Sequence, residues 1–333
     1  MKTAYEFAKE NIRKQNHSMS YNGEKLVQWQ KTAREKLALL LGMDKFKKVE
    51  HDLEMEYSNT ENGIAEMRFS FQSEDGYRVL CHLMIPEAAE MPPVVIALQG
   101  HSKGMHISLG KPKYDGDEDT IKGGDRDFCV RAVKEGYAAI ALEQRNFGEC
   151  GGNESGPQCF DEAMTALLMG RTTVGERVWD VMTLIDVLEE NFSELVDTDN
   201  IVLMGNSGGG TTTAYAAALE DRIKLAMPSC AISTYADSIG TIHHCSCNYV
   251  PKIAEYFDMG DLIAMSYPKY YVQVSGIGDP IFPIAGAEVC FEAGKRAYAS
   301  ENVEDRLTLV RGNGEHRFYA DDSWPVVHKY LGK

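Results

Sequence analysis

The chain changes its hydrophobic rhythm twice. Up to Leu41 apolar positions recur at helical spacing, which predicts two helices over residues 3–41. The second opens near Asn22-Gly23-Glu24, carries Leu26, Trp29, Leu37, Leu40 and Leu41, and stops at Gly42. From Val49 to Ile85 the period falls to two: Leu53, Met55 and Tyr57, then Met67, Phe69 and Phe71, then Val79, Cys81 and Leu83. Gly76 separates the last two runs, so an antiparallel meander is expected. After Pro92-Pro93 the strands become short continuous apolar runs, at 94–98, 137–142, 201–204, 225–228, 270–274 and 307–310. Runs without alternation need apolar cover on both faces, and a parallel sheet between helices supplies it. Helices are expected over 126–135, 174–190, 209–220, 284–299 and 322–331. The fold class is therefore α/β, with an N-terminal helical extension (1–45) and one domain (46–333). Three long polar or Gly-rich connections remain, near 101–125, 149–172 and 231–266. Connections of this length usually serve a site or cover it.

Two G-x-S-x-G matches occur, Gly100-His101-Ser102-Lys103-Gly104 and Gly205-Asn206-Ser207-Gly208-Gly209. A serine on a sharp strand-to-helix turn needs a strand before it and a helix at once after it. Ser207 has both, since Ile201-Val202-Leu203-Met204 precedes it and an Ala-rich helix follows. Ser102 has the strand but is followed by a loop. A serine in a glycine turn can also serve only to cradle an anion at a helix N-terminus; nucleophile is the favoured reading for Ser207. A hydroxyl is a weak nucleophile until a histidine takes its proton, and that histidine needs a carboxylate to hold its tautomer. Asp279 follows the strand 270–274 and His316 follows the strand 307–310, in the order serine, acid, histidine. Asp258 and Asp261 are weaker candidates for the acid because no clear strand precedes them. His328 lies inside a helix, and His243 and His244 precede the acid. Backbone donors for a developing oxyanion are expected from Gly208, after the nucleophile, and His101, after the strand 94–98.

These motifs carry a resemblance. Gly205-Asn206-Ser207-Gly208-Gly209, Gln99-Gly100-His101-Ser102, Glu143-Gln144-Arg145-Asn146-Phe147-Gly148-Glu149, Asp279-Pro280-Ile281-Phe282-Pro283 and Gly314-Glu315-His316-Arg317-Phe318-Tyr319 together resemble the α/β-hydrolase esterases of the acetyl xylan esterase-like and dienelactone-hydrolase-like groups, over about residues 25–330. The resemblance implies an α/β-hydrolase fold and a Ser-Asp-His carboxylester hydrolase acting on short-chain acyl esters, with acetylated sugars among the substrates. A peptidase of the same fold and a non-catalytic ligand- or metal-binding relative are the alternatives. Arg145, after the strand 137–142, is a candidate pocket residue, although with Glu149 it reads more readily as an ion pair bracing loops. Tyr249 and Phe257 could line an acyl or sugar pocket or pack a cap.

Composition narrows the partners. Of 333 residues 44% are hydrophobic, and 34 Lys and Arg face 50 Asp and Glu, a net charge of −16. No basic run suits nucleic acid or an acidic membrane surface, and small neutral esters fit better than uronate-rich polymers. No apolar run of membrane-spanning length and no secretory h-region appear, and eight scattered cysteines need no disulfide framework, so a reduced cytoplasmic protein is expected. His243-His244-Cys245-Ser246-Cys247 gathers zinc-ligand types, but adjacent residues seldom converge on one ion and no second Cys/His pair follows. It reads as a cap turn, so no metal and no cofactor are expected. Whether copies assemble into a homo-oligomer is left open.

Overall fold

The computed structural model describes residues 1–332. Its elements run α1 (Ala4–Ile12), α2 (Leu26–Leu41), β1 (Glu54–Glu61), β2 (Ile64–Glu74), β3 (Tyr77–Pro86), β4 (Pro93–Leu98), α3 (Asp117–Gly123), α4 (Phe128–Lys134), β5 (Ala138–Leu142), α5 (Cys159–Leu168), α6 (Thr173–Asn191), β6 (Asp197–Asn206), α7 (Gly208–Leu219), β7 (Ile223–Ser229), α8 (Ile253–Tyr256), α9 (Met259–Met265), β8 (Tyr270–Gly276), α10 (Ile284–Ala299), β9 (Leu307–Gly312) and α11 (Ala320–Leu331). The strands form one sheet in the order β1-β2-β3-β5-β4-β6-β7-β8-β9. Its β1–β3 end is antiparallel, β3 meets β5 antiparallel, and every pairing from β5 through β9 is parallel.

The continuous apolar runs have the cause the sequence suggests. In β4, Val94, Ile96 and Leu98 point into a core shared with α2, α6, α7, α9 and α10, while Val95 and Ala97 point into a second core with α4 and α11. Successive side chains alternate faces, and both faces are dry. The extension divides in the same terms. Helix α2 buries Leu26, Trp29, Ala33, Leu37 and Leu41 in the larger core and ends on Gly42 in the left-handed region, whereas α1 has no fully buried residue and packs against that core only through Ile12. No helix is long and apolar enough to cross a membrane, among the described residues.

The three long connections are partly helical. Within them lie α3, α5, α8 and α9, elements too short or too irregular for periodicity to reveal. Helix α9 is closed by a capping box in which the side chain of Asp258 and that of Asp261 accept from each other's backbone N–H groups.

Candidate active site

The turn from β6 to α7 is built on close packing. Ser207 holds φ 55°, ψ −121°, a left-handed backbone that a non-glycine residue adopts only where its surroundings enforce it. Gly205 faces the backbone of Gly209, and Gly209 faces the carbonyls of Leu98 and Gln99 at the end of β4, so a Cβ at either position would overlap main-chain atoms. The Ser207 N–H donates to Ser229 O at 2.8 Å, and the Ser229 hydroxyl donates to Arg317 O at 3.4 Å, tying the turn to the residue after His316. Ser207 is partly exposed.

Asp279 and His316 meet at the adjacent ends of β8 and β9. His316 Nδ1 lies 2.8 Å from Asp279 Oδ2, while Asp279 Oδ1 accepts the N–H groups of Ile281 at 2.8 Å and Phe282 at 3.0 Å. Burial pushes the Asp279 carboxyl up, but the hydrogen bond and charge of His316, with the two backbone donors, hold it below its ordinary value. An ionised carboxylate only accepts, so Nδ1 carries a proton, and the neutral ring in this tautomer has its lone pair on Nε2. The Phe282 ring lies near-parallel to the imidazole, 6.1 Å between centroids. Asp258 and Asp261 are engaged elsewhere: Asp258 accepts from the N–H groups of Tyr235 and Met259, and Asp261 from Tyr21 N–H and the Ser20 hydroxyl.

Gly208 N–H belongs to the first turn of α7, whose donors have no intrahelical acceptor, and His101 N–H makes no protein hydrogen bond among the described residues. The two residues touch, since a Cβ on Gly208 would lie 2.7 Å from His101 Cε1. A cleft of about 460 Å³ opens beside them, lined by His101, Ser102, Lys103, Arg126, His316 and Arg317 among others. Arg126 is the residue the sequence reading missed. It was expected to open a helix, but α4 begins two residues later and Arg126 stays in the preceding turn, its carbonyl held by Gln99 Nε2 at 2.7 Å. A Cβ on Gly100 would lie 3.0 Å from Ser207 Cβ and 3.4 Å from Arg126 Nη1, so the guanidinium and the serine border one spot. Only the glycine itself could have signalled this.

The expected pocket residues fall elsewhere. Arg145 does not line the cleft. It is buried between Asp180, at 2.8 Å through two nitrogens, Glu74 at 2.8 Å and Glu176 at 3.7 Å, with its guanidinium over the Tyr77 ring. It is an ion-pair brace, though not with Glu149, which pairs with Arg68 at 2.6 Å. Phe257 is wholly buried in the larger core. Tyr249 is exposed and borders two neighbouring cavities rather than the cleft.

The cap turn also departs from expectation. His243 is exposed, and His244 Nε2 sits 3.0 Å from the Ser238 hydroxyl. Cys245 and Cys247 instead meet Cys159 and His101, four potential ligand atoms all within 4.8 Å of one another. Cys159 was invisible beforehand because its partners lie 58 to 88 residues away along the chain.

A mostly parallel sheet with a strained serine after β6, an acid after β8 and a histidine after β9 is the α/β-hydrolase fold. No family model matches the chain. The chain is similar to YtaP of Bacillus subtilis (strain 168), provisionally named a hydrolase, at 26% identity over 234 residues, 69% of this chain and 75% of that protein. Among solved structures it is similar to a provisionally named acetyl xylan esterase of Bacteroides fragilis NCTC 9343, with TM-score 0.78 and 16% identity over 94% of this chain and 83% of that one. It is also similar to a glucuronoyl esterase from Solibacter usitatus, with TM-score 0.66 and 15% identity over 91% and 92%. These likenesses give the fold, the one its esterase neighbours share.

Proposed function

We propose that the protein is a serine carboxylester hydrolase in which Ser207, His316 and Asp279 act together on short-chain acyl esters, acetyl esters of carbohydrates foremost. The observation that carries this reading is the 2.8 Å Asp279–His316 hydrogen bond at the strand ends, taken with a serine held at positive φ in the turn after β6. His316 Nε2 takes the Ser207 proton as Oγ attacks the ester carbonyl, and Asp279 stabilises the imidazolium that forms. The N–H groups of Gly208 and His101 stabilise the oxyanion. The imidazolium then gives its proton to the departing alcohol, and water, deprotonated by the same histidine, releases the acid from Ser207. The esterase names among the fold neighbours support this chemistry over a peptidase or a silent binding protein. Ser207→Ala should lower kcat on p-nitrophenyl acetate by roughly 10⁴-fold or more with the fold intact, as loss of a triad nucleophile does. Activity persisting in that variant would overturn the assignment.

A second reading concerns the substrate's charge. Of the cations lining the cleft, Lys103 lies 3.4 Å from Asp117 and Arg317 lies 2.7 Å from Asp125, whereas Arg126 pairs with no carboxylate among the described residues. Net charge describes the whole surface, and the cleft departs from it by holding an uncompensated guanidinium beside Ser207. An ester whose sugar carries a carboxylate would supply the missing partner. Arg126→Gln should then cut kcat/KM roughly 10- to 100-fold for an acetylated uronate, the worth of one charged hydrogen bond, and leave a neutral acetylated sugar unaffected. Equal losses on both substrates would assign Arg126 to the shared chemistry instead.

A further inference from the structure

We propose that His101, Cys159, Cys245 and Cys247 form a closed zinc site that clamps the three long connections together beside the nucleophile. Each connection contributes: His101 from the one after β4, Cys159 from the first turn of α5, and Cys245 and Cys247 from the segment between β7 and α8. One imidazole nitrogen and three thiol sulfurs within 4.8 Å of one another are the Cys₃His set of tetrahedral structural zinc, whose ligand atoms stand about 3.8 Å apart around bonds of ~2.3 Å. His101 Nε2 points into the group, 3.2 Å from Cys247 Sγ. None of the cysteines is in a disulfide.

The strongest independent sign is a charge. Arg177 is completely buried and pairs with no carboxylate among the described residues; its Nη1 lies 3.4 Å from Cys247 Sγ and its Nη2 3.5 Å from Cys159 Sγ. A buried guanidinium needs a negative partner; apart from the Arg145 carbonyl, to which Nη2 donates at 2.8 Å, the sulfurs are what it faces. Zn²⁺ with three thiolates and a neutral imidazole carries a charge of −1, which Arg177 cancels. The Phe147 ring lies 4.5 Å from the guanidinium and packs against Cys159, Cys247 and Cys245, closing one side of the group. Soft thiolates in a four-ligand site select zinc over magnesium or calcium, and the absence of an open position makes the role structural.

The consequence falls on catalysis through His101. Its imidazole would be a ligand while its N–H faces the oxyanion, so the metal fixes the donor without touching substrate. The inference does not depend on the ester reading, because its test is metal content.

Protein produced with zinc supplied and then desalted should hold one zinc per chain. Mercurial titration of its thiols should release that zinc to a chromogenic chelator, and cobalt exchange should give a thiolate-to-cobalt charge-transfer band with strong tetrahedral d–d bands. Cys159→Ser and Cys245→Ser should lose both signals, and His243→Ala should keep them. Folded wild-type protein without stoichiometric metal, or with a disulfide within the group detected by its mass loss, would overturn the proposal even if the serine variants misfold. Ester hydrolysis absent from a zinc-loaded protein would sink the functional reading alone.

Discussion

Two clusters of reactive side chains adjoin His101, and they are assembled in opposite ways. Asp279 and His316 stand at the ends of neighbouring parallel strands, where register alone brings them together: Gly276 pairs with Gly312, and each functional residue follows within a few positions. The cysteine group has no strand beneath it. Its members come from three separate connections and meet only because those connections fold over one another. The first cluster inherits its geometry from the sheet. The second must supply its own cohesion, which is what a metal or a buried charge does.

The sharpest way to break this contrast is at the strand ends. Asp279→Asn keeps the hydrogen-bonding shape but favours the wrong imidazole tautomer, and should lower kcat by on the order of 10⁴-fold with little change in thermal stability. A loss of only a few fold would mean that the Asp279–His316 pair is architectural. Because burial is outweighed by the hydrogen bond and charge of His316 together with the two backbone donors, the Asp279 carboxyl is held down, and the pair contributes stability that is present above the ordinary carboxylate range and lost as pH falls through the depressed value. The Asn variant should therefore lose less stability than wild type on acidification.

Next in size is Arg145, a pocket candidate that read more readily as a brace from the sequence and that the structure places in a buried ion-pair brace. Arg145→Met leaves Asp180 without its cation, while Glu74 keeps Arg171 at 2.6 Å, and should cost about 3–5 kcal/mol in denaturant unfolding. KM for a small ester should stay the same in whatever fraction folds. A raised KM with unchanged stability would return Arg145 to the pocket.

The smallest effect lies where the two clusters' supports meet. Glu143, buried at the end of β5, accepts the N–H groups of Met105 and Glu149, joining two of the connections. Burial, only partly offset by those donors, pushes its carboxyl up to about 7. An unfolded glutamate titrates near ~4.3, so between there and about 7 the folded chain keeps a proton that the unfolded chain has lost, and stability falls as pH rises through that window. Glu143→Gln should flatten that slope and, above it, melt a few degrees higher than wild type. An unchanged slope in differential scanning fluorimetry would count against a protonated Glu143.

The same contrast explains what could be read from the chain. Strands β4 to β9 were legible because their apolar runs answer to two dry faces, and Ser207, Asp279 and His316 were legible because each follows such a run. Helix α9 escaped because seven residues make barely two turns, and its Asp258 cap looked like a candidate acid. The Cys/His segment was read as a cap turn, with zinc weighed on its adjacent residues alone. His243 and His244 caught attention by adjacency, while Cys159 and His101, distant in sequence, were the ones folding brought in. Arg126 was hidden by a helix boundary two residues off, an error that turns a pocket cation into an ordinary surface one.

The central claim is that Ser207 is an activated nucleophile. The most direct measurement is covalent labelling with a fluorophosphonate, followed by intact mass and peptide mapping. One adduct per chain is expected, on the peptide containing Ser207, and none on the His316→Ala variant in the same time. No adduct on folded protein, or an adduct at Ser102, would contradict it.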